Sequence, residues 1–361
     1  MSVTIKEIAK QLGVTPASVS MALKDHPRVS VARKNQIRKL ADQLGYRPSM
    51  HAQIMQGGGR SKTLGVCVPM LGATVYSDLV QGIEDCTSRQ GYNLILCTSR
   101  LDAARDSRNI ELLIRRRVDG VIYHFMPDPH CRVGDDELLN LHKNDIPVVV
   151  TGGVLQPEIF SSILSCDAEG GRLLASHLIQ GGRRRIFFLF PTATLADDEV
   201  ARQRASGCAE ACRKAKISFG KHQIIGAGHF VMDETSNYSP EKVAALLALP
   251  KNRRPDAIIA STDMLALRVM RTLKRLGARI PDDLAVVGFD DLLFAANVDP
   301  ALTTVNMGDD TMGRLAAQFL LDRIASGNHS TPWPVTESVP CRLVVRESCG
   351  ARQLGTEQRE P

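Results

Sequence analysis

TIKEIAKQLGVTPASVSMAL, residues Thr4–Leu23, is the stretch whose reading decides the architecture. Ile5, Ile8, Ala9 and Leu12 recur at helical spacing, which predicts a first short helix with one apolar face. Gly13 ends that helix, because a residue without Cβ takes the left-handed conformation that a sharp exit needs. Thr15 offers a side-chain oxygen to cap a second helix, and Pro16 fits its first turn, where a missing N–H costs little. Val19, Ala22 and Leu23 form the inward face of that helix. Ala9, Gly13 and Val19 together have the small-residue, turn and apolar-anchor spacing of a helix-turn-helix. Pro16, Ala17, Ser18 and Met21 then face outward, positioned for a DNA major groove. A generic helical hairpin is the competing reading of the same stretch.

Charge distribution separates the two. The chain has 361 residues, 43% hydrophobic and 23% charged, with a formal net charge of +6. Residues 1–62 contain eleven Lys/Arg against three Asp/Glu, and the remainder 34 against 36. A basic head on a nearly neutral body points to a polyanionic partner for the head alone. The amino terminus lacks a signal-peptide layout and no apolar run reaches membrane-spanning length, so the expected location is cytoplasmic. Nine Cys without a CxxC pair fit reduced thiols. Cys208 and Cys212, one helical turn apart, are expected to be small core residues rather than a metal pair. No cofactor, metal or membrane partner is expected.

Outward from the first stretch, Ser30 is placed to cap a third helix whose apolar stripe is Ile37, Leu40, Ala41 and Leu44, closed by Gly45. Arg33, Lys34, Arg38 and Lys39 make its outer side basic, suited to phosphate contacts that fix position without reading sequence. Pro48 holds Arg47 extended, and a short segment Ser49–Gln56 leads to Gly57-Gly58-Gly59, a flexible joint rather than a phosphate cradle. From Thr63 the pattern becomes short apolar runs alternating with amphipathic helices. Strands are predicted at Leu64–Val68, Asn93–Cys97, Gly120–Tyr123, Val148–Thr151, Ile186–Phe190, Asp256–Ala260 and Leu284–Gly288. Helices are predicted near 76–90, 107–117, 136–144, 169–179, 200–215, 241–249, 264–276 and 312–325, and a final strand pair around 335–345. Such alternation means parallel sheets with helices on both faces, here two doubly wound lobes. Gly350–Pro361 reads as a polar, disordered tail.

In open α/β sheets ligands bind outside the carboxyl ends of strands, so two facing lobes form a cleft from those ends. Asp263 and Asp290-Asp291 follow predicted strands there. Each has a second reading as a helix cap. Capping is the stronger reading for Asp263, and the two stand level for Asp290.

The head, the run VSVARKNQIRKLADQLGYRP at residues 29–48, Arg117-Val118-Asp119-Gly120 and Val287-Gly288-Phe289-Asp290-Asp291 together resemble the lactose/galactose repressor family of bacterial transcription regulators. The resemblance spans roughly residues 3–347 and implies an all-α helix-turn-helix head on an α/β core of two periplasmic-binding-protein-like lobes. It implies a homodimeric repressor whose affinity for double-stranded operator DNA is set by a small effector, a sugar or sugar derivative. The head would be 1–48, a hinge helix and linker 49–62, the ligand-binding and dimerisation core 63–347, and the tail 348–361. Lobe one would take 63–165 plus 292–328, and lobe two 166–291 plus 329–347.

Within the resemblance, the DNA-contacting set is Thr4, Thr15, Pro16, Ala17, Ser18, Met21, Arg28, Ser30, Arg33, Tyr46, Arg47 and Met55. Many members carry Arg where this chain has Met21, which suits a more apolar edge such as thymine methyls. Met55 falls where the family's leucine wedges into the minor groove, with hinge–hinge packing as the alternative. The ligand set is Val75, Tyr76, Asp167, Glu169, Arg204, Thr262 and Asp290. Arg204, with its planar fork, would hold hydroxyls or a carboxylate, and is expected to matter to ligand and not to folding. Thr262 stands where some sugar-binding members have Asn.

Two other classes compete. A solute-binding receptor that never touches DNA would not need the basic head. An enzyme on a doubly wound fold would carry a motif such as GxSxG, HExxH, a Walker loop or a strand-linked GxGxxG, and the sequence contains none.

Overall fold

A computed structural model describes residues 3–46, 60–71, 74–125, 135–192, 194–228, 238–327 and 334–351, and the chain divides after Ser61 into two compact units. Arg47, Met55, the segment 49–56, the three consecutive glycines, Trp333 and most of the tail lie outside the described residues.

The first unit contains three helices: α1 (Ile5–Leu12), α2 (Pro16–Leu23) and α3 (Val31–Gln43). Thr4 and Glu7 form a reciprocal capping box at the start of α1, and Gly13 leaves it at φ +63°. These local devices satisfy N–H groups that a short helix otherwise exposes. Thr15 Oγ1 accepts from the Ser18 N–H at 3.1 Å. Ser30 occupies the corresponding position before α3, but its side chain makes no capping bond. Ile8, Ala9, Val19, Ala22, Ile37 and Ala41 form the buried core of this unit, and Leu23 packs against them only partly buried.

The second unit holds two sheets with helices on both faces. Its first lobe contains β1 (Thr63–Val68), α4 (Thr74–Thr87), β2 (Asn93–Thr98), α5 (Ala103–Arg116), β3 (Gly120–His124), α6 (Asp135–Lys143), β4 (Val148–Thr151) and β5 (Ser161–Ser165). The second contains α7 (Asp167–Gln180), β6 (Ile186–Phe190), α8 (Glu199–Lys214), β7 (Ile224–Gly226), α9 (Pro240–Ala248), β8 (Ala257–Ala260), α10 (Asp263–Arg275) and β9 (Ala285–Val287). The chain continues through β10 (Thr304–Asn306), α11 (Asp309–Ser326), β11 (Thr336–Val339) and β12 (Arg342–Val344). The sheet orders are β11-β5-β4-β3-β1-β2 and β7-β6-β8-β9, all parallel, with β10 and β12 forming a separate antiparallel pair.

This topology corrects the expected lobe boundaries. Residues 334–339 belong to the first lobe, because β11 pairs with β5 at Thr336↔Ser162. Segment 292–307 belongs to the second, where Ala295 and Leu302 enter one face of the core and Val305 and Met307 the other. Both strands expected around 335–345 form, as β11 and β12, but they do not pair with each other: β11 joins the six-stranded sheet beside β5 and β12 pairs with β10. The tail also begins later than expected, since Ser348 and Cys349 are buried and the Ser348 hydroxyl donates to the Val286 carbonyl at 2.6 Å.

Glycines set the closest helix contact in each lobe. A Cβ on Gly82 or Gly313 would lie 2.0 Å from Asp310 O or 2.1 Å from Leu79 O, where α4 crosses α11. On Gly171 or Gly207 it would lie 2.0 Å from Arg204 O or 1.8 Å from Ala168 O, where α7 crosses α8. Cys208 and Cys212 sit fully buried in that second packing layer, and the Cys208 thiol donates to Gly171 O at 3.3 Å.

Candidate functional site

In the head, the sequence-predicted contact residues fall on the accessible side. Thr4, Thr15, Pro16, Ala17, Arg28 and Ser30 are exposed, while Ser18, Met21, Arg33 and Tyr46 are half-buried. Thr4 and Thr15 are committed to their caps, so any contact they make comes from what the cap leaves free. The basic side of α3 is not uniformly available. Lys34 and Arg38 both pair with Asp25, at 3.0 and 3.1 Å, with the Lys34 side chain only 12% exposed. Arg33 bonds Gln36 at 2.8 Å. Val31, 71% exposed at the first turn of α3, is an apolar group beside Ser30 that the sequence reading passed over.

In the core, three predicted residues from three elements converge. Arg204, on α8, is 6% exposed. Its Nε donates to Asp167 Oδ1 at 2.7 Å and its Nη1 to Asp290 Oδ1 at 3.3 Å and the Ser261 carbonyl at 2.5 Å. The guanidinium lies 4.4 Å from the centre of the Phe289 ring, a cation–π contact in a desolvated setting. Burial disfavours the charged form, yet Asp167 and Asp290 outweigh it and hold the Arg204 pKa above its ordinary value. Asp167, at the start of α7, also accepts from the Ser165 hydroxyl at 2.5 Å.

Asp290 takes φ +103°, a conformation that a non-glycine residue holds only when its surroundings impose it. Its N–H donates to Val305 O at 2.8 Å and its carboxylate turns to Arg204. Burial raises its pKa, opposed by Arg204. Asp263 does not cap its helix. It is fully buried, accepting from Thr304 Oγ1 at 2.6 Å and from the Leu292 N–H at 2.9 Å. Burial pushes its pKa up to about 8. Gly288 is what lets it approach, since a Cβ there would stand 2.2 Å from Asp263 Oδ1.

The remaining predicted residues divide. Tyr76, 7% exposed, stacks edge-on against His124 with centroids 5.1 Å apart, and its hydroxyl pKa is raised by burial and by Asp290 and Asp309. Val75 packs into the first lobe's core. The Thr262 hydroxyl caps α10, accepting from Leu265 N at 3.2 Å. Glu169 pairs with Arg172 on its own helix and does not join the Arg204 group. Sequence reasoning missed Ser261, Phe289, His124 and Asp309. Asp309 lies in the first turn of α11, which begins three residues before the helix expected from the sequence at 312–325.

Comparison with known proteins follows the same division. Residues 4–49 match the family model for bacterial regulatory proteins of the lacI family, and residues 175–349 match a periplasmic binding protein-like domain. The HTH-type transcriptional repressor PurR of Vibrio atlanticus is 30% identical over 329 residues, 90% of this chain and 93% of that one. A solved complex of the transcriptional regulator CelR with cellobiose superposes with a TM-score of 0.66 at 28% identity, covering 96% of this chain and 99% of the other. The lac repressor dimer bound to operator and the anti-inducer ONPF shares the fold, with a TM-score of 0.79 at 23% identity, covering 97% of this chain and 100% of the other.

Proposed function

The chain belongs to the lacI family of bacterial regulatory proteins, and from that premise we propose that it is a homodimeric, sequence-specific transcriptional repressor with a sugar or sugar-derivative effector. The observation that carries this reading is the pairing, in one chain, of a basic three-helix head with an Arg204–Asp167–Asp290 constellation faced by Tyr76. In the head, Pro16, Ala17, Ser18 and Met21 read base edges, while Arg28, Ser30 and Arg33 position the helix on phosphates. Tyr46, Arg47 and Met55 extend the contact toward the minor groove. In the core, Arg204 and Asp290 bind effector hydroxyls, and Tyr76 closes over them from the first lobe. Closure changes the separation of the two heads in the dimer and with it operator affinity.

The test is selection of bound duplexes from a random pool by the full chain, followed by titration of the enriched sequence against salt. A twofold-symmetric site, bound with a slope of about −0.9 per neutralised phosphate on log–log axes, is expected. Enrichment of no sequence above nonspecific background refutes the reading.

A further inference from the structure

Cys67 and Cys97 take no part in the head or in the Arg204 group, yet the fold brings them face to face. Cys67 is the fifth residue of β1 and Cys97 the fifth of β2, and the parallel register sets them directly opposite each other. Both side chains enter the same core layer, among Ile110, Leu113 and Tyr123, and both are free thiols. Residues opposite each other on neighbouring strands stand about 4.8 Å apart, inside the roughly 4.4–6.8 Å between Cα atoms that a disulfide spans.

The two thiols are not equivalent. The Cys67 S–H donates to the Cys97 sulfur, which raises the Cys67 pKa, with burial adding to it, and lowers that of Cys97. Burial and Asp106 act the other way on Cys97 without reversing that direction. Cys97 is also the more exposed, 6% against 2%. Thiolate character and exposure mark the attacking sulfur, and a thiol already in contact with it is placed to resolve the product. On the Cys67 side a small open pocket lies among Cys67, Val68, Ser99, Asp106, Tyr123 and His124. It leaves the Cys67 side chain room to turn.

We propose that Cys67 and Cys97 form a redox-modification site, two thiols that hydrogen peroxide converts to a reversible disulfide. The Cys97 thiolate attacks one peroxide oxygen and the O–O bond breaks. This leaves a sulfenic acid on Cys97 and a hydroxide, which takes up the proton that Cys97 had lost. The Cys67 sulfur then attacks the sulfenic sulfur, the S–O bond breaks, and the hydroxyl leaves as water with the Cys67 proton. Two thiols are oxidised to one disulfide, and one peroxide is reduced to two waters. The product ties β2, at the edge of the six-stranded sheet, to β1, and a thiol reductant reopens it by exchange.

Mass-spectrometric mapping tests this on the full chain. The protein is reduced, freed of reductant, treated with hydrogen peroxide under native conditions, alkylated and digested. The expected product is a peptide pair joined through Cys67 and Cys97, two hydrogens lighter than the reduced pair and returned to it by dithiothreitol. The same treatment in urea should scatter pairing among the nine Cys, because the register that selects the pair is gone. Cys67→Ala should leave a sulfenic acid on Cys97 that dimedone captures, and Cys97→Ala should leave Cys67 a free thiol. Three native outcomes overturn the proposal: either residue joined to a third cysteine, Cys97 carried on to sulfinic acid beside a reduced Cys67, or both thiols unreacted. Dimedone capture at Cys67 in Cys97→Ala overturns the order of attack. Should a variant fail to fold, the map of the wild-type chain decides alone.

Discussion

Replacing Arg204 by Met should unfold the core before it informs on the effector, contrary to the expectation that this residue matters only to ligand. The side chain is 6% exposed and bonds Asp167 at 2.7 Å and Asp290 at 3.3 Å, with a further bond to the Ser261 carbonyl. Methionine fills most of the volume but leaves two buried carboxylates without a cation. Breaking one side of a buried pair costs about 3–5 kcal/mol, because the remaining charge stays desolvated. At roughly 2–4 °C per kcal/mol, the unfolding midpoint should fall by on the order of 10 °C. The loss should shrink on acidification, since the orphaned Asp290, already raised by burial, protonates more readily without Arg204. Calorimetry of wild type, Arg204→Met, and Arg204→Met combined with Asp167→Asn and Asp290→Asn measures the effect. The combined variant should recover most of the loss. A midpoint within a degree of wild type for Arg204→Met alone would refute the reasoning, and Arg204 would then be a group held for ligand rather than for the lobe.

Other consequences are smaller and separable. Gly288→Ala sets a Cβ 2.2 Å from Asp263 Oδ1 and should destabilise by about 1–3 kcal/mol in urea titration, by displacing Asp263 from Thr304 and Leu292. Raising pH from 6 to 9 should destabilise wild type more than Asp263→Asn, because folding raises the Asp263 pKa to about 8 and the folded lobe resists its ionisation. Thr15→Ala removes the cap of α2 and should lower head stability by about 1 kcal/mol, seen as weaker operator binding with effector affinity unchanged. Met55→Ala should lower operator affinity and DNA bending together in gel-shift and circularisation assays; normal bending would make Met55 a hinge-packing residue.

The head was legible in the sequence because its determinants are local. Thr4 and Glu7 are three residues apart, Thr15 and Ser18 likewise, and Gly13 ends its helix by its own backbone freedom. The core helices and seven strands were legible for the same reason, through the change of period from 2 to 3.6. Strand β5, SSILS, was not, because a polar run becomes a strand only when β4 and β11 pair on its two sides. The lobe membership of residues 292–307 and 334–339 was equally invisible, since it depends on partners such as β5, more than 170 residues from β11. The cleft follows the same rule. Arg204, Asp167 and Asp290 could be named from resemblance, but the separation of 37 residues is closed only by the packing of α7 on α8, which Gly171 and Gly207 permit, and that of 86 only by the second sheet, where β9 pairs with β8 and Asp290 bonds Val305. Asp263 looked like a cap because its neighbours in sequence form a helix start. Its actual partners, Leu292 and Thr304, stand 29 and 41 residues away, and only the folded chain brings them to it.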